Sequence, residues 1–151
     1  TARSRRQAAT EIDVLKAVAA AMGEHPKHLH LQVWGCAAVS VIAQDGNGAK
    51  LNAVQSEALH AVHAAAMAFP TTATVVEWSL MALGQMATGP VETTLIEEGV
   101  INAGLSAMRF FSKSKRHLLL ALNLLLALAS SSEDGKATVL NAGAPERVKI
   151  M

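Results

Sequence analysis

The stretch Ala17-Val-Ala-Ala-Ala-Met-Gly-Glu-His-Pro26, read on to Trp34, decides the fold class because the chain contains it twice. It returns 44 residues later as Ala61-Val-His-Ala-Ala-Ala-Met-Ala-Phe-Pro70, and Trp78 again stands eight residues past the proline. Self-similarity at a period of roughly 40–47 residues marks stacked helical units, each too small to bury its apolar face without a neighbour. A second pair of segments repeats in the same way: Thr94-Leu-Ile-Glu-Glu-Gly99-Val and Thr138-Val-Leu-Asn-Ala-Gly143-Ala. The glycine is expected where the chain folds back sharply, since glycine alone takes positive φ cheaply. At the matching place in the first copy stands Gln55.

Composition agrees with a helical chain. Of 151 residues, 51% are hydrophobic but only 3% aromatic, so alanine and leucine carry the apolar content. Both are good helix formers, and scattered β-branched residues with no tyrosine argue against an all-β fold. A net charge of +1 lacks the basic excess that a nucleic-acid partner normally requires. The single Cys36 excludes an internal disulfide framework and suits a reducing compartment, so a cytoplasmic location is expected. The longest apolar run, Leu118 to Ala129, is too short for a bilayer, which takes roughly 17–25 residues.

Outward from the repeated stretch, the spacing of apolar residues predicts helices throughout. Residues 1–9 hold Arg3, Arg5 and Arg6 without an apolar pattern and are expected to form a disordered basic arm. A helix over 10–23 follows, with Thr10 as its cap and Ile12, Leu15, Val18, Ala19 and Met22 as its stripe. The next runs to Ala43, with Leu31, Trp34, Ala38 and Ile42 on one face. A short helix near 49–54, a bend near Gln55–Ser56 and a helix over 57–69 precede Pro70. A threonine-capped helix over 71–87 then places Val75, Trp78, Ala82, Leu83 and Met86 inwards. After the loop 88–90 come a short helix to Glu98, a break at Gly99, a helix over 100–111, and one capped by Ser114 that reaches Ala129. Residues 130–135 read as a loop, 136–142 as a short helix broken at Gly143–Pro145, and 146–151 as the start of another.

His25-Pro26 with Gln32-x-Trp34-Gly35-Cys36, set in units of short helix, glycine bend and two longer helices, resembles the armadillo repeat. The resemblance covers nearly all of the chain past Ala9, with HEAT repeats the near competitor. It implies an all-α, right-handed α-α superhelix, an armadillo-like solenoid of about three repeats. A partial repeat would fill 10–48, fuller repeats 49–87 and 90–129, and 136–151 would begin another. Cut ends of such an array leave apolar surface, so either the array continues beyond this stretch or its ends associate.

The same resemblance implies a non-catalytic scaffold that holds a partner protein or peptide along its third helices. In the nuclear-import and catenin members a ladder of asparagines and tryptophans does so. The matching asparagine positions here are Val41, Gln85 and Ala127, and the tryptophan positions are Ala37, Met81 and Asn123. Of the asparagine positions only Gln85 keeps an amide, which speaks against recognition of nuclear-localisation peptides by that ladder. The expected partner-binding residues are Glu77, Met81, Gln85 and Asn123, with Leu119 and Leu126 on a leucine-rich helix that is apolar on every side. Its apolar surface is either a groove for a partner helix or another copy of the protein, or covered by a neighbouring helix such as the C-terminal stretch. The alternative function is a spacer or self-association module of a larger cytoskeletal or kinase-type protein.

Other residue clusters favour plain structural roles. Trp34 and Trp78 are expected in the core, as large aromatics usually are. His25, His28 and His30, and the pair His60 and His63, could ligate zinc or copper, but no carboxylate or thiol near them in sequence completes a set. Cys36 lies on an apolar helix, where a thiol is a small hydrophobe. Lys113, Lys115, Arg116 and His117 form a basic turn, and Glu97-Glu98 ends a helix. No phosphate loop, nucleophile elbow or cofactor motif is present, so no catalytic residue, cofactor or metal is expected.

Overall fold

The computed structural model describes residues 2–87, 90–131 and 133–141, all of them α-helix or connecting turn with no strand among them. In chain order the helices are α1 (Ala2–Glu24), α2 (Leu29–Ala43), α3 (Asn47–Gln55), α4 (Ala58–Ala68), α5 (Ala73–Met86), α6 (Glu92–Glu98), α7 (Ile101–Phe110), α8 (Lys115–Ser131) and α9 (Glu133–Asn141). The loop residues Thr88 and Gly89, the expected break at Gly143–Pro145 and the expected helix over 146–151 lie outside the described residues.

The packing follows the repeat. Helix α1 lies on α2, α4 on α5 and α7 on α8, giving three pairs of consecutive long helices. Neighbouring pairs then meet like to like, α2 on α5 and α5 on α8. The same holds for α1 on α4 and α4 on α7. Between these layers sits one apolar core, with Leu15, Val39, Val62, Leu80, Leu83, Met86, Leu95, Met108, Leu124 and Leu128 fully buried. Alanines and glycines at the crossings let the helix axes approach closely, which is why so few aromatics are needed to fill it.

Local chemistry explains most of the ends. His28 caps α2, its Nδ1 accepting from the Leu31 amide at 3.2 Å. The buried Gln32 donates its amide to the carbonyls of Met22 (3.0 Å) and His25 (2.9 Å), closing the C-terminal end of α1 that would otherwise leave buried acceptors. Ser114 accepts from the His117 amide at 3.4 Å, as the sequence suggests. Thr72 holds the cap position of α5 but makes no side-chain bond there.

Several expectations change. Helix α1 begins at Ala2, so Thr10 lies inside it and the basic arm is not separate from the helix; alanine, arginine and glutamine all propagate a helix readily. Residues 130–131 and 133–135 are helical, not loop. Helix α8 runs to Ser131 and α9 opens at Glu133 because Gly135 is buried, so close to the Leu128 carbonyl that no side chain fits. The left-handed residue between α3 and α4 is Glu57 (φ 67°), not Gln55, and it matches Gly99 (φ 79°) between α6 and α7. Helix α2 buries Gln32, Gly35, Cys36, Val39, Ser40 and Ala43, one position round from the expected stripe. That helix is apolar on nearly every side, so its periodicity does not pick a face.

The repeated stretch itself is out of register by one residue at its methionines. Met22 is buried whereas Met67 is exposed, and Ala66 takes the place equivalent to Met22. A Cβ on Gly35 would run into the Met22 side chain, with Cγ only 2.7 Å away. The second unit carries the reverse pairing of sizes at the same joint, Ala66 with the buried Ser79.

Candidate interaction surface

The six residues expected to bind a partner sit on α5 and α8, which pack side by side. Helix α5 brings Glu77, Met81 and Gln85 to its half-buried side at one-turn spacing. Arg116 at the start of α8 donates to the Glu77 carboxylate and lays its Nη2 3.7 Å from the Met81 sulfur. Gln85 Oε1 accepts from Ser40 Oγ of α2 at 3.4 Å. Asn123 is exposed, and its Nδ2 stands 3.1 Å from where a Cβ would lie on Gly84. The α5 trio therefore bridges the joints between long helices, and its polar atoms are engaged by neighbours.

The open apolar surface lies on either side of α5. On α8, Leu119 is 68% exposed, Leu122 40% and Leu126 66%, although α9 packs along the same helix. Its other leucines behave as a core stripe: Leu124, Leu125 and Leu128 are buried. On α2, Trp34 is 74% exposed and Val41 58%. Trp34 thus corrects the expectation that both tryptophans are core residues. Trp78, its repeat mate, is half-buried against the core, on a helix that α2 packs along; among the described residues no helix precedes α2 in the α2–α5–α8 row. The position in the repeat order, rather than the residue type, was the signal that could have found this exposed aromatic.

The histidines divide by partner. His60 Nδ1 lies 2.6 Å and His63 Nδ1 3.5 Å from Glu98 Oε1 at the end of α6, a carboxylate brought in from 38 residues along the chain in the case of His60. Burial holds the His63 imidazole below its ordinary range, against the Glu98 hydrogen bond and charge that favour the cation, while His60 adds to the lowering. Among the described residues, His63 Nε2 has no hydrogen-bond partner, and no group of three or more histidine, cysteine or acidic side chains is placed to hold a metal ion. His117 is buried, stacked 4.2 Å from the Phe111 ring, with Nε2 3.0 Å from the Ala73 carbonyl and Nδ1 2.7 Å from Ser114 Oγ. It ties α8 to the first turn of α5, a role that the sequence, which placed it in a solvated basic turn, does not suggest. Cys36 is buried, and burial pushes its thiol up to about 12.

An apolar groove of about 470 Å³ runs between α1 and α4, and its lining includes alanines of both helices together with Lys16, Glu57 and His60. No described helix is long and apolar enough to cross a membrane. Comparison with protein-family models gave no match, and neither did comparison with curated proteins.

Proposed function

We propose that the chain is an armadillo-like α-solenoid, a non-catalytic cytoplasmic scaffold that holds a partner protein or peptide along the surface of its long helices. The observation that carries this reading is the set of uncovered large apolar side chains on the long helices flanking α5, Trp34 and Val41 on α2 and Leu119, Leu122 and Leu126 on α8. Large apolar side chains left uncovered at one-turn spacing on a helix face, as on α8, are characteristic of protein contact. Beside them, Glu77, Met81 and Gln85 on α5 and Asn123 on α8 supply polar and adaptable groups, methionine in particular moulding itself to varied partners. The lack of a ladder of asparagines points away from backbone-reading of extended nuclear-import peptides and towards an amphipathic partner segment.

The test is selection of peptides from a displayed library against the immobilised chain, followed by binding to a Met81→Glu, Gln85→Arg double variant with unchanged helicity. Peptides that bind the parent and not the variant support the reading; equal binding to both excludes this surface. A second reading, a spacer or self-association module of a larger cytoskeletal or kinase-type protein, is favoured by the open leucine edge of α8.

A further inference from the structure

The joint between long helices occurs twice in the chain, and it has a register. Across the α2–α5 joint, Ser40 Oγ donates to Gln85 Oε1. Across the α5–α8 joint, Glu77 and Met81 meet Arg116, and Gly84 lies beside Asn123. Equivalent positions are 44 residues apart from the first unit to the second and 42 from the second to the third. Ser40, Gly84 and Leu126 therefore occupy one position, and Cys36, Leu80 and Leu122 another. Likewise Val41 matches Gln85 and Ala127, Ala37 matches Met81 and Asn123, and Trp34 matches Trp78 and Leu120.

Each long helix thus has a trailing edge that meets the following long helix and a leading edge that meets the preceding one. Inside the stack most positions of both edges are covered: Cys36, Ser40, Leu80 and Gly84 are buried, and Trp78 and Leu120 are half-buried, while the polar Arg116 and Asn123 stay exposed. At the two ends they are open. The trailing edge of α8 exposes Leu119, Leu122 and Leu126, and the leading edge of α2 exposes Trp34 and Val41. The two open surfaces are the complementary halves of a joint that the chain already makes twice.

We propose that two copies of this chain join head to tail, the α8 edge of one on the α2 edge of the next, continuing the α2–α5–α8 order across molecules. This rests on the repeat reading for the equivalence of positions, and it makes no use of a ligand on α5. The internal register places Leu126 against Ala37 and Val41, and Leu119 beside His30. Sizes complement by exchange: within the chain the small Gly84 faces the larger Asn123, and between chains the large Leu126 faces the small Ala37. Both edges are apolar, so their burial drives association without a new charge pair. A contact between two different surfaces does not close on itself in a dimer, so growth is open-ended.

Sedimentation equilibrium of the chain up to about 0.1 mM, where a contact of micromolar strength is populated, tests this. The weight-average mass is expected to climb above the monomer's 15.8 kDa with concentration. Leu126→Glu and Trp34→Glu each remove one half of the joint, and each should associate at least about tenfold more weakly, because a charge is driven into an apolar contact. Mixed in equal amounts, the two variants should form a dimer and nothing larger, since each keeps the half that the other lacks. Both sites are exposed, and unchanged far-ultraviolet circular dichroism checks folding; Leu126→Gln and Trp34→Gln repeat the test without a charge. A parent that stays monomeric, single variants that assemble like the parent, or a mixture that stays monomeric would each overturn the proposal. The Met81, Gln85 variant, altered away from both edges, should assemble as the parent does, so failure of peptide binding there leaves this outcome unaffected.

Discussion

Exchanging the Met22–Gly35 pair for the Ala66–Ser79 pair of the second unit probes whether the repeated joints are structurally interchangeable. Met22 is buried, so Met22→Ala opens a cavity and should cost about 3 kcal/mol, within the range of roughly 2–5 for such truncations. Gly35→Ser places a Cβ and a hydroxyl where the Met22 side chain already stands, its Cγ 2.7 Å from the new Cβ. Overpacking of this kind costs about 1–3 kcal/mol. Loss of a mid-helix glycine returns about 0.5 kcal/mol, leaving a net cost of about 1.5. In the double variant the clash is gone, serine fills part of the cavity, and its hydroxyl can bond the carbonyl three residues back, as Ser79 Oγ does with Val76 at 3.0 Å. The double variant should therefore lose about 2–2.5 kcal/mol rather than the additive 4.5, a coupling of about 2 kcal/mol. Urea unfolding followed by circular dichroism, at equilibrium for the parent, both single variants and the double, measures all four corners. Additivity within about 0.5 kcal/mol would refute the claim that these residues share one joint.

Three further outcomes follow from single residues. Glu57→Gly should raise stability by about 0.5–1 kcal/mol, since left-handed backbone costs a side-chain-bearing residue about 1–2 kcal/mol and part of that relief is lost to chain entropy; a drop in the urea midpoint would contradict it. His63 has its folded-state titration pushed down, chiefly by burial, so the unfolded chain binds the proton more readily. Stability should be full above the ordinary histidine range near 6.5 and fall as pH drops through it, and His63→Leu should flatten that slope between about pH 7.5 and 5; an unchanged slope would contradict the assignment. Cys36, with its thiol raised to about 12, should resist alkylation in the folded chain and react at once in denaturant; rapid labelling of the native state would contradict its burial.

Helical content and most element positions could be read directly from the chain, because Pro26, Pro70 and Gly99 punctuate it and the stripes of α4, α5 and α7 are regular. On α5, Val75, Ala82, Leu83 and Met86 are buried where their spacing places them. What could not be read had a common physical cause: exposure depends on which neighbour exists, and local sequence carries no record of that. Trp34 and Trp78 belong to the same motif, yet one is open and the other half-covered. Gly135 looks like loop chemistry in sequence, although its small size serves the close approach of α9 to α8. The pairing of Glu98 with His60, and of Arg116 with Glu77, joins segments too distant in sequence for spacing rules to connect.

The central claim is that the long helices stack in chain order with one repeat step between neighbours. Pulsed electron-electron double resonance between spin labels on Gln44→Cys and Ser130→Cys addresses it most directly, because these exposed residues hold the same place in the first and third units. Dilution with unlabelled chain suppresses distances between molecules, and the buried Cys36 does not compete for label. Two interaxial steps of roughly 8–10 Å give an expected separation of about 20 Å with a narrow distribution. A separation near 10 Å, with the ends of α2 and α8 side by side, would contradict the stacked order.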